Sequence, residues 1–133
     1  MFVIVTQKPM AMRNAITAAI DNNEIDTWSY RKLPNNIIRF DWTGGVNNWP
    51  NLDKCVYFTA TTHYPKETDN YLQFMLHTKR GHRLEDSDYA RMHTELSYML
   101  LSHFADEYEI CHILPAKKPY HHADIIDDQP TKQ

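Results

Sequence analysis

Apolar positions recur along this chain with two different periods, and the switches between them mark its elements. From Asp86 to Phe104 (DSDYARMHTELSYMLLSHF) the period is helical. Tyr89, Met92, Leu96, Met99, Leu100 and His103 fall on one side of it, and Arg91, Glu95 and Tyr98 on the other. Asp86, Ser87 and Asp88 open this helix with short oxygen-bearing side chains, suited to free N–H groups and to the positive end of the dipole. A second helix is predicted from Pro9 to about Ile20, with Met12, Ile16, Ala19 and Ile20 sharing a side. Proline suits its first position, and Asp21-Asn22-Asn23 ends it because asparagine tolerates left-handed backbone.

The other period is two. In Thr27–Leu33, Trp28 and Tyr30 alternate with Ser29 and Arg31; in Ile37–Thr43, Ile38, Phe40 and Trp42 alternate with Arg39 and Asp41. Pro34-Asn35-Asn36 between them carries turn chemistry, so the two runs form a hairpin. Phe2–Thr6, Cys55–Thr62 and Glu109–Leu114 are further strand-like runs. Tyr71–Thr78 fits both periods, with Lys79-Arg80-Gly81 resembling a helix ending; alternation of Leu72, Phe74 and Leu76, and a preceding strand in need of a partner, favour a strand. Strict alternation implies one wet face and therefore an antiparallel sheet.

Strand, helix, two strands, a second hairpin, helix and strand is the resulting order. The expected fold class is α+β: an antiparallel sheet with two helices packed on one face, a ferredoxin-like (βαββαβ) core with an inserted hairpin at Cys55–Thr78. Residues 1–115 are expected to form a single domain and residues 116–133 a C-terminal tail packed on that domain or on a partner subunit. Such a fold hosts many activities and selects none.

Composition narrows the setting. A chain of 133 residues needs no staple, and Cys55 and Cys111 lie in apolar runs without a CxxC, which fits buried free thiols in a reducing compartment. No stretch of 18 apolar residues and no leader pattern after Met1 is present, so a cytoplasmic protein without membrane contact is expected. Fourteen basic against seventeen acidic residues give a net charge of −3, the wrong sign for phosphate neutralisation, and nucleic acid is not the expected partner. The one basic cluster, Lys79, Arg80, His82 and Arg83, is followed at once by Glu85, Asp86 and Asp88.

Candidate chemistry rests on eight histidines. His93 and His103 stand about 15 Å apart along one helix, too far to share an ion. No HExxH, i/i+4 histidine pair or glycine-rich phosphate loop occurs, so no cofactor is expected. His121, His122 and Asp124 form the only dense ligand cluster and are weak metal candidates. If Tyr71–Thr78 runs as a strand into the Gly81 turn, His77, His82, Asp86 and His93 gather near one sheet end with Arg80 and Arg83. That grouping would suit acid–base work on a phosphate-bearing substrate.

The aromatic stock points to contact with other chains instead. Trp49, in a loop beside asparagines and a proline, and Tyr120, in the tail, are the candidate binding aromatics, with Arg80 and Arg83 as candidate binding cations. The expected function is a small intracellular binding or accessory protein acting through protein–protein contact, as a homodimer. The alternative is a small histidine-dependent hydrolase or phosphoesterase at His77, His82 and His93. A nucleic-acid or nucleotide binder using Lys79, Arg80 and Arg83 is the weaker alternative.

Overall fold

A computed structural model of the protein describes residues 2–44, 56–62, 71–79, 84–113 and 125–128. In chain order the elements are β1 (Phe2–Val5), α1 (Pro9–Asp21), β2 (Trp28–Leu33), β3 (Ile37–Trp42), β4 (Val56–Thr61), β5 (Tyr71–Lys79), α2 (Asp86–Phe104), a 3-10 turn (Ala105–Glu107), β6 (Ile110–Ile113) and β7 (Ile125–Asp128). Tyr71–Lys79 is thus a strand, and every strand and helix expected from the two periods is present within a residue or two of its expected ends.

Six strands form an antiparallel sheet in the order β2-β3-β4-β5-β1-β6. Between the two helices the chain runs a four-strand meander, β2 to β5, where a simple βαββαβ chain has a single hairpin. β1 is then inserted between β5 and β6, with Phe2 opposite Phe74 and Ile4 opposite both Leu72 and Cys111. The tail contributes an element that its composition concealed. β7 pairs in parallel with the second half of β5, Leu76 opposite Ile125, in the lane whose other half β1 occupies.

Alternation decides which face is covered. Phe2, Ile4, Ile38, Phe40, Phe58, Ala60, Leu72, Phe74 and Leu76 are buried, and they share one face by register: Phe40 opposes Phe58, Ala60 opposes Phe74, and Phe58 opposes Leu76. Onto that face α1 lowers Met12, Ile16 and Ala19, and α2 lowers Met92, Leu96 and Leu100, in one continuous core. Both helices therefore pack on the same side of the sheet. Phe58 sits centrally, its ring 6.1 Å from Trp28 and edge-on to Phe74 at 6.3 Å.

Four local expectations are corrected. The helix α2 ends its buried side at Phe104, which joins the core, not at His103, which is exposed. Its start is capped from Glu85, whose N–H donates to the Asp88 carboxylate at 3.2 Å, so Asp88 acts from inside the first turn. Cys111 is a free thiol but only half-buried, since β6 is an edge strand; Cys55 lies outside the described residues. The helix-free face is not uniformly wet: Tyr57 and Gln73, on the central strands β4 and β5, are 7% and 2% exposed.

Candidate functional site

Of the histidine cluster expected at one sheet end, the structure places His77 and His93 apart. Leu76 points into the core, so strand parity sends His77 to the helix-free face. There its ring stacks on Tyr57 with centroids 5.0 Å apart, and its Nε2 is hydrogen-bonded to Thr59 Oγ1 at 2.7 Å. Arg39 lies over the other end of this column, Cζ 3.8 Å from the Tyr57 ring centre, and forms a 2.9 Å ion pair with Asp41. His93 is across the sheet, 2% exposed beneath α2, stacked on Tyr89 at 4.1 Å and edge-on to Phe58 at 5.2 Å. Burial pushes its pKa down from 6.5 to about 3, so it stays neutral. Asp86 stands at the N-terminus of α2. His82, Arg80, Arg83, Trp49, Tyr120, His121, His122 and Asp124 lie outside the described residues. Among the described residues no group of three potential ligands is placed to hold a metal.

A different site emerges from α1 and the β2–β3 hairpin. The hairpin turn needs two residues in left-handed backbone, and Asn35 and Asn36 supply them with φ of 63° and 62°. This geometry swings the Asn36 carbonyl toward α1, where Arg13 meets it. Arg13 Nη1 donates to that carbonyl, and Nη2 donates to Asn36 Oδ1 and to Met10 Sδ, each at 3.0 Å. Arg13 is only 3% exposed, and burial pulls its pKa below the usual arginine value. Its Nε is buried without a hydrogen-bond partner.

Beside this clamp runs a cleft of about 440 Å³ between α1 and the hairpin. Arg13, Asn14 and Thr17 form one wall, Tyr30, Lys32 and Leu33 the other, and Ile38 contributes apolar surface. At its far end the Tyr30 hydroxyl donates to both carboxylate oxygens of Asp21, at 2.8 and 3.0 Å, a bond that raises the Tyr30 pKa. A second cavity, about 310 Å³, lies where β1 leads into α1 and faces Tyr108 of the β6 approach. Its walls hold Lys8 but also Asp106, Glu107 and Glu109, and Thr6 Oγ1 closes part of it by donating to the Glu107 carbonyl at 2.9 Å.

Arg13 was legible in principle. Three and seven residues before Ile16 and Ile20, it falls on the apolar side of its helix, where a charged residue is either buried or bent away. Both cavities thus flank α1, and neither includes a histidine. No protein family, no curated protein and no solved structure matches this chain.

Proposed function

We propose that this chain is a small intracellular binding protein that works through protein–protein contact and associates as a homodimer. The observation that carries the reading is on the outer side of α2. Tyr98 and Leu101, one helical turn apart, are 71% and 60% exposed, the two most exposed of the large apolar side chains among the described residues. Adjacent exposed aromatic and aliphatic groups on a rigid helix are the common core of a protein interface, where tyrosine adds area at low entropic cost. In this reading the sheet is a ferredoxin-like arrangement whose central hairpin has grown into the β2–β5 meander, leaving the two helices free to present their outer sides. Sedimentation velocity across a concentration series tests it. A monomer–dimer equilibrium that Leu101→Glu shifts to monomer is expected, and a wild-type protein that stays monomeric throughout would overturn it.

One observation favours a second reading, a histidine-dependent hydrolase. The 2.7 Å contact between Thr59 Oγ1 and His77 Nε2 pairs a hydroxyl with a potential base, the minimal geometry of an activated nucleophile. Hydrolysis of a p-nitrophenyl ester or phosphate, abolished by His77→Asn and by Thr59→Val, is the expected signature of that activity. Equal background rates in all three proteins would remove it.

A further inference from the structure

Among the described residues, the cleft beside α1 is built around a cation without a counter-ion. Each of the three acceptors in the Arg13 clamp is uncharged: a backbone carbonyl, an amide oxygen and a thioether sulfur. A guanidinium carries five N–H donors and the clamp uses three, which leaves Nε–H and one Nη1–H unused, in a side chain that is 3% exposed. Taking a charge out of water is strongly unfavourable unless an opposite charge replaces the lost solvent. The acidic residue on the cleft wall does not do this. Asp21 is held by Tyr30 and stands eight residues along the helix, about 12 Å of rise, from Arg13.

We propose that this cleft binds a carboxylate, with Arg13 as the buried cation that receives it and Lys32 on the opposite wall as the second positive group. A carboxylate oxygen suits a guanidinium N–H that the clamp leaves unused, in a charge-assisted bond, while a ligand's methylene groups would lie on Leu33 and Ile38. About 440 Å³ accommodates a side chain or small acid rather than a folded segment. Asn36 is a positioning residue: its left-handed backbone holds Arg13 at the cleft and leaves Nε outside the clamp. The inference is independent of the α2 interface, which lies on the other helix.

The experiment is a chemical-shift titration of the full-length, 15N-labelled protein at constant ionic strength. Probes are glutarate, a capped glycine-glutamate-glycine peptide and inorganic phosphate, and the signals followed are Arg13 Nε–H and the amides of Asn36 and Lys32. Saturable shifts with glutarate mark a small-acid site; saturation with the peptide alone marks a site for acidic side chains; either supports the assignment. Affinity should fall about tenfold in Arg13→Gln, the loss expected for one charge-assisted pair. Should that variant fail to fold, Lys32→Gln, at an exposed position, provides the same test through a smaller loss. Absence of saturable shifts, unchanged affinity in the foldable variants, or phosphate binding as tightly as the carboxylates would overturn it.

Discussion

His93 Nδ1 lies 2.8 Å from the backbone carbonyl of Tyr89, one turn earlier in α2. A carbonyl only accepts, so Nδ1 carries the proton and donates, and the neutral ring leaves a lone pair on Nε2. That Nε2 is buried with no hydrogen-bond partner. Protonating it would create an unpaired buried donor on a charged ring, which is why burial drives the pKa to about 3.

A pH dependence follows. The unfolded imidazole takes up its proton near pH 6.5 and the folded one only near pH 3, so between these values the unfolded chain binds more protons. Stability is therefore full above pH 6.5 and falls as pH drops toward 3, by on the order of a few kcal/mol across the window. Urea unfolding at several pH values from 4 to 8 measures it. His93→Phe keeps the stacking on Tyr89, and the Tyr89 carbonyl retains its helical N–H, so the variant should show a visibly flatter profile. An unchanged slope would assign the dependence to other groups.

Strand parity at His77 and helical period at His93 explain what the sequence disclosed. Leu72, Phe74 and Leu76 alternate into the core, so His77, one step on, must point away from it, whereas His93 sits next to Met92 on the sheet-facing side of α2. The separation of these histidines was implicit in two periodicities, and proximity to a common turn concealed it. Element type was legible wherever six or more residues held one period, as in Ile37–Trp42. Two features were not. Burial of Tyr57 and Gln73 depends on what lies over the central strands rather than on alternation, and β7 holds two isoleucines followed by two aspartates, too short a pattern to signal a strand. The place of Arg13 on the apolar side of α1 was legible, while the partner that buries it is set by a turn 23 residues away.

The end of α1 supplies a backbone test. Asn23 has φ of 61°, its N–H reaches the Ile20 carbonyl at 3.1 Å, and the next N–H, of Glu24, reaches Ala19 at 2.9 Å. These are the two bonds of a left-handed helix cap, and they depend on residue 23 holding that conformation. Asn23→Gly should be neutral or stabilising by a few tenths of a kcal/mol, while Asn23→Val should cost about 1–2 kcal/mol. Thermal melts of the two variants measured together separate this cause from loss of the side chain, because both remove the amide.

Gly44 tests close approach rather than backbone freedom. A Cβ built there would sit 2.9 Å from Trp42 Nε1 and 3.2 Å from Thr27 Cβ and Cγ2. Trp42 is 2% exposed, and Thr43 N–H is bonded to the Thr27 carbonyl at 2.8 Å, so neither wall gives way freely. Gly44→Ala should destabilise by about 1–3 kcal/mol, the usual cost of overpacking a tight site. Chemical unfolding gives the size, and a shift of the tryptophan emission would locate the disturbance at Trp42.

Removing residues 125–133 tests how much the tail contributes to the sheet. β5 is paired over Gln73–Thr78 with β4 on one edge, from Val56 opposite Thr78 to Thr61 opposite Gln73. On its other edge β1 covers Tyr71–Phe74 and β7 covers Leu76–Lys79. In a strand successive N–H groups point to opposite edges, so truncation should expose only alternate amides within Leu76–Lys79, while those turned to β4 keep their partners. Hydrogen exchange read residue by residue should show that alternation, with protection at Tyr71–Phe74 unchanged. The loss in global stability should be small, about 1 kcal/mol per backbone bond removed, because water replaces the parallel partner. Uniform loss of protection along β5 would mean instead that β7 holds the whole strand in place, and the tail would then be part of the fold's cooperative unit rather than an addition to its edge.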